Sequence, residues 1–137
     1  MIDSSTFFER YKHAAQTRDK EAMIALYRRD TELFDMWNAY QLRGIDNIRS
    51  MVNQWFDSLG DEKLEVDFSD IQLKQDHNVA FAYAFVHFRA LDAAGKVLRQ
   101  MKNRMTLCFV KEGVSWRVIH QHTSIPISTQ NMQGIFE

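Results

Sequence analysis

Thirteen consecutive residues, "VAFAYAFVHFRAL" (79–91), restrict what this chain can become more than any other stretch. On a strand, successive side chains point to opposite faces. Here neither face carries a polar side chain until His87 and Arg89, so the strand must be covered on both sides. Helices of the same chain can supply one cover. The other has to be a partner sheet or a second copy, because 137 residues is the length of one domain. A homodimer through the sheet is therefore expected.

Three more strands surround this one. "KLEVDFSDIQLKQ" (63–75) precedes it across a turn at "DHN", and "VLRQMKNRMTLCFV" (97–110) follows a turn at "DAAG". After "KEG" comes "WRVIHQHTSIP" (116–126). Successive hairpin-like units of this kind predict an antiparallel sheet. The first half reads as helix. Thr6 and Glu9 fit a capping box before "FFERYKHAAQ", whose Phe7, Tyr11, Ala14 and Ala15 share one face. Asp19 is a natural N-cap for "KEAMIALYRR". A short strand is expected over 31–37 and a turn at 43–44. A third helix is expected over 45–60, with Ile45, Ile48, Val52, Trp55 and Phe56 as its apolar stripe and Gly60 at its end. Three N-terminal helices over a curved antiparallel sheet make an α+β fold with a pocket between the layers. The chain reads as one domain over 1–137, with 127–137 a loosely held tail.

Charge and cysteine content narrow the function classes. The net charge is −1, and lysines and arginines are scattered, so nucleic acid is not expected as a partner. No apolar run is long enough to span a bilayer, and residues 1–10 do not look like a signal peptide. With Cys108 alone, no internal disulfide can form, and a cytoplasmic location is expected. A G-x-S-x-G elbow and a glycine-rich phosphate loop are both absent. Cys108, between Leu107 and Phe109 in a strand, suits packing better than nucleophilic catalysis.

Several residues are candidates for a site. Strict alternation puts Trp116, Val118, His120, His122 and Ser124 on one face of the last strand. His120 and His122 then have three readings: a metal pair, satisfied core histidines, or the polar wall of a pocket. A His-x-His pair without a fixed third ligand points weakly to metal, and none is expected, nor any cofactor. As a pocket wall, His120 would make affinity for an anionic ligand change with pH. Asp35 ends a strand flanked by "LF" and "MW". Burial there suits a general base, and exposure would leave it a turn cap. Tyr11 is a core aromatic or a hydrogen-bond donor. Arg104 is a carboxylate or enolate clamp, or a rim salt bridge. Trp37 and Trp55, like Tyr27, are pocket walls or plain core.

Residues at both ends of the chain resemble a known superfamily. Arg104, Thr106, Trp116, His120, His122, Ser124 and Pro126 are similar to the closing pattern of SnoaL-like proteins, which share a cone-shaped fold with nuclear transport factor 2 and ketosteroid isomerase. This NTF2-like (cystatin-like) resemblance implies the α+β cone. A similar ending also occurs in the association domain of calmodulin-dependent protein kinase II, a non-catalytic assembly module. "ERYKHAAQTRDKEAMIALYRRDTELFD" is similar to the opening of ketosteroid isomerases, and Tyr11, Tyr27 and Asp35 fall at that family's spacing. The resemblance implies Tyr11 as donor to an enolate oxygen and Asp35 as proton shuttle, in an enzyme class used as the standard case of a carboxylic acid held neutral. The isomerases' third polar residue, an aspartate on a late strand, would fall near Met105, where there is no acid. Steroid isomerisation is therefore not the expected reaction. The expected function is a proton-transfer isomerase, dehydratase or cyclase acting on an apolar carbonyl compound. Asp35, Tyr11 and His120 would be catalytic, and Arg104, His122, Trp37, Trp55 and Tyr27 would bind ligand. The alternative is a non-catalytic module that binds a small apolar or acidic ligand or mediates assembly.

Overall fold

The computed structural model describes residues 4–137. A 3-10 turn over Ser4–Thr6 leads into α1 (Phe7–Thr17), and α2 follows (Lys20–Ile24). The strands β1 (Tyr27–Phe34) and β2 (Leu42–Arg43) precede α3 (Ile45–Ser58). Four long strands complete the chain: β3 (Lys63–Gln75), β4 (Val79–Leu91), β5 (Val97–Glu112) and β6 (Ser115–Ser124). The six strands form one open sheet in the order β2-β1-β6-β5-β4-β3.

The long hairpins follow the alternation expected of them, but the sheet is mixed. β3, β4, β5 and β6 pair antiparallel in sequence. β1, however, runs parallel to β6, with Tyr27 opposite Val118 and Phe34 opposite His122. The expectation of a wholly antiparallel sheet fails at this pair because β6, the last strand in the chain, meets β1, a strand far from it in sequence that no hairpin connects to it. The same pairing draws Tyr27 and its neighbours out of the second helix. That helix therefore ends at Ile24, and the strand begins at Tyr27 instead of Thr31.

Helix ends show which local signals won. Asp19 accepts the amide hydrogen of Ala22 at 3.0 Å, as an N-cap should. Thr6 makes no side-chain cap bond to α1, since it has helical rather than extended dihedrals after the 3-10 turn. Leu59 caps α3, and Gly60 follows it in the left-handed region at φ 54°.

Residue size explains how the layers fit. The inner face of β4 is Ala80, Ala82, Ala84 and Val86, all buried. These small side chains leave room for the helix aromatics. Phe7 packs edge-on to Phe109, Phe8 to Phe68, and Trp55 to Phe88. Phe7, Phe8 and Phe109 are buried, and full burial of such a side chain contributes about 1.5–3 kcal/mol; Phe68, Trp55 and Phe88 are partly buried against the core. The outer face of β4 is different: Phe81, Tyr83 and Phe85 are 46%, 49% and 36% exposed. In the single chain this aromatic face is open to solvent.

Register shifts bend the sheet at four places, including Tyr27–Glu32 against β6 and Ala90–Leu91 against β5, and two of them matter most here. One falls between Ser69 and Gln72 on β3, where Asp70 takes φ 54°. The other is on β6. Cys108 is opposite His120 and Phe109 is opposite Val118, which leaves Ile119 as an extra residue.

Candidate functional site

A cavity of about 610 Å³ lies between the helices and the inner face of the sheet. Its walls are mainly apolar, with Met51, Trp55, Leu64, Phe88, Met101 and Met105 prominent. The volume and lining suit a small organic ligand. Arg99 stands on the wall and forms a two-pronged ion pair with Glu62, at 2.8 and 2.7 Å. Trp37 and Phe136 also line the cavity, stacked with centroids 5.8 Å apart. Phe136 is held there by its carbonyl, which accepts the Lys102 amide hydrogen at 2.7 Å.

The polar part of the cavity is built at the end of β1. Asp35 follows the last residue of the strand and lines the cavity wall. Thr123 on β6 donates its hydroxyl to Asp35 Oδ1 at 3.1 Å and accepts the Met36 amide hydrogen at 3.2 Å. Burial pushes the Asp35 carboxyl pKa upward, opposed by the Thr123 hydroxyl and the backbone N–H groups of Met36 and Trp37. Tyr11 projects from α1 into the same space, and its hydroxyl has no hydrogen-bond partner among the described residues. Burial, reinforced by the Asp35 charge, raises the Tyr11 pKa, so the phenol stays protonated. A carboxyl group with a raised pKa and a neutral phenol O–H therefore share one apolar cavity.

Tyr27 is buried beside this pair and does not face open space. Its hydroxyl donates to Gln121 Oε1 at 2.5 Å. Its pKa is raised well above the phenol value, chiefly by burial. Gln121 is on the cavity wall, as is Asn103, whose amide nitrogen donates to Met36 Sδ at 3.5 Å. Neither amide was singled out from the sequence.

His120 and His122 lie on the opposite side of the sheet, which corrects the face assigned to them by strict alternation, and Arg104 on β5 is exposed on that same outer side. The extra residue at Ile119 reverses the alternation along β6. Trp116 and Val118 point inward, and so do Gln121 and Thr123 beyond the bulge, while both histidines point outward. His120 Nδ1 donates to the Glu32 carbonyl at 2.8 Å. Phe34 stands edge-on to both imidazoles, with centroids 4.8 and 5.5 Å away. His122 borders a separate outer groove with Phe34, Tyr40 and Gln41. Arg104 Nε donates to Ser124 Oγ at 3.1 Å. Among the described residues, no group of three His, Cys, Asp or Glu side chains could hold a metal ion.

The expected pH dependence through His120 accordingly has no structural basis in the cavity. His120→Ala/His122→Ala should leave the affinity of a cavity ligand within about twofold of wild type, because lost hydrogen bonds act only on groups they touch. Fluorescence titration with 2-naphthol checks this.

The SnoaL-like domain family matches residues 5–128. The chain belongs to that family. Among solved structures, this SnoaL-like chain is similar to an NTF2-like protein of unknown function from Pseudomonas putida. The two share 21% identity with a TM-score of 0.85, over 97% of this chain and 91% of that one. It is also similar to Aln2 from a Streptomyces species, at 13% identity and a TM-score of 0.76, over 90% and 93% of the two chains. A third relative in shape is a Xanthomonas campestris protein identified provisionally as a calcium/calmodulin-dependent protein kinase II association domain. It is 18% identical with a TM-score of 0.73, over 88% of this chain and 83% of that one. At these identities the similarities establish the NTF2-like, cystatin-like fold alone. Curated proteins give no match. No helix among the described residues is long and apolar enough to cross a membrane.

Proposed function

We propose that this SnoaL-like protein is a proton-transfer enzyme of the isomerase, dehydratase or cyclase kind, acting on an apolar carbonyl compound. One observation carries the reading. Asp35, with its pKa raised by burial, shares an apolar cavity with the unpartnered hydroxyl of Tyr11. A base with a raised pKa takes a proton from carbon more readily than an ordinary carboxylate. A neutral donor beside it stabilises the oxygen that gains charge.

The test uses 2-tetralone, a bicyclic ketone with acidic α-hydrogens. In D₂O the protein should accelerate exchange of those hydrogens, as followed by proton NMR. Tyr11→Phe should slow this exchange by about 10²–10³, the usual consequence of losing one oxyanion donor. No acceleration by wild type over free acetate would refute the reading.

A second reading is an association or binding module without catalysis. It is favoured by the exposed aromatics Phe81, Tyr83 and Phe85 on the outer sheet face. A homodimer through that face supports either reading, because the cavity lies on the other side of the sheet. The apolar walls suit an apolar ligand, and Arg99 would have to share its guanidinium with Glu62 to take an acidic substituent. A cytoplasmic setting is in keeping with the single free thiol of Cys108.

A further inference from the structure

Gln121 is placed as it is by the β6 bulge. It is 5% exposed, on the inner face, two residues before the Thr123 that holds Asp35. Two residues along a strand span about 6.5–7 Å, so its amide and the Asp35 carboxylate occupy one wall of the cavity. The Tyr27 hydroxyl donates to Gln121 Oε1 at 2.5 Å, both groups being buried. With the Tyr27 hydroxyl as donor, the amide oxygen is turned toward Tyr27. The Nε2 end is left on the cavity side, without a hydrogen-bond partner among the described residues. Nε2 is not sealed in the core as Thr31 Oγ1 and Asn103 Oδ1 are, so a ligand oxygen in the cavity can accept its hydrogen.

We propose that Gln121 Nε2 is a second donor, with the Tyr11 hydroxyl, to the oxygen of an enolate formed in the cavity, and that Tyr27 is the positioning residue that sets the amide. The proposal rests on the proton-transfer reading. Asp35 takes a proton from the carbon next to the carbonyl. The C–H electron pair becomes the new carbon–carbon π bond, and the carbonyl π pair moves to oxygen. That oxygen accepts hydrogen bonds from Gln121 and Tyr11. Asp35 then returns the proton to carbon, so atoms and charge balance with no other reactant. An amide stabilises the enolate without transferring a proton to it. The isomerases' late-strand acid has no counterpart near Met105, and in this protein an amide on the neighbouring strand takes that place.

The experiment uses 2-naphthol, whose ionised form mimics an enolate and has its own emission. Gln121→Met should weaken 2-naphthol binding about tenfold or more and lower the ionised fraction of the bound probe. It should also slow 2-tetralone exchange by about 10²–10³. Gln121→Met leaves the Tyr27 hydroxyl unpaired and can fail to fold for that reason. Tyr27→Phe/Gln121→Met removes both partners and replaces them with apolar groups of similar shape, which is nearly neutral for stability. The double variant should show the same losses with an unchanged circular dichroism spectrum. Tyr27→Phe alone should lower the ionised fraction without abolishing binding, because it frees the amide to turn. If the double variant keeps the wild-type affinity and ionised fraction while Tyr11→Phe loses both, Gln121 is not a donor and the proton-transfer reading survives. If wild type neither exchanges 2-tetralone nor ionises bound 2-naphthol, both are overturned.

Discussion

Asp35→Asn should remove the protein's ability to exchange the α-hydrogens of 2-tetralone, lowering the rate by about 10²–10⁴, the usual contribution of a positioned acid–base group. The same variant should melt at a higher temperature than wild type at pH 7. Both results come from one physical cause. Burial pushes the Asp35 carboxyl above its ordinary value of 3.8, so the folded state holds this proton more tightly than the unfolded state does. For such a group, stability falls as pH rises from the unfolded pKa through the folded one. Above its raised pKa the carboxylate is ionised and insufficiently solvated, and the fold carries that cost. Asparagine has the same shape, keeps an oxygen for the Thr123 hydroxyl at 3.1 Å and carries no charge.

The wild-type exchange rate should rise with pH through the raised Asp35 pKa, and in Asp35→Asn the profile should be flat. Scanning calorimetry at pH 4 and pH 7 separates the stability half of the prediction. The gain from Asp35→Asn should be large at pH 7 and small at pH 4, where wild type is itself more fully protonated. A variant that melts lower at pH 7 would mean the Asp35 charge is offset by its hydrogen bonds, and its suitability as a base would go with it.

The positions of Asp35 and Tyr11 at the cavity were legible in the sequence, but the wall between them was not. Tyr11 and Asp35 were legible because one lies on the apolar stripe of a helix and the other at a strand end, and neither position depends on strand register. β3 and β4 were legible to the residue, since their alternation is bounded by turns at Asp76–Asn78 and Asp92–Gly95. β6 failed halfway along. A bulge residue looks like its neighbours, so Ile119 gave no warning, and one inserted residue sends every later side chain to the other face. The histidines went outward, and Gln121 and Thr123 came in. The one available signal was the apolar pair Val118–Ile119, where strict alternation requires a polar residue on one side. β2, two residues long, and the β1–β6 parallel pair are products of tertiary contact, and local propensity does not encode them.

Phe81→Lys/Tyr83→Lys should convert the protein from a particle of about twice the 16.2 kDa chain mass to one of 16.2 kDa, measured by light scattering at micromolar concentration. β4 is apolar on both faces. Its alanine face is filled by the helices, while its aromatic face remains nearly half exposed in the single chain. Contiguous exposed aromatics on a sheet mark an interaction surface, and a two-fold pairing would bring the same patch from both copies together. Phe81 and Tyr83 stack parallel to each other at 6.4 Å, and Lys102 Nζ sits 4.6 Å over the Phe85 ring. Arg104 lies opposite Phe85 across the ladder. Lysines introduced at 81 and 83 would face their own copies and these cations, so like charges would be forced together. The single chain should tolerate them, because both positions are solvent-facing and the inner core of Ala80, Ala82, Ala84 and Val86 is untouched. The exchange reaction tests the rest. Its residues all come from one chain and lie across the sheet from the patch, so the monomer should keep its activity. A wild-type protein that scatters as 16.2 kDa would leave the aromatic face of β4 without its second cover and refute the dimer.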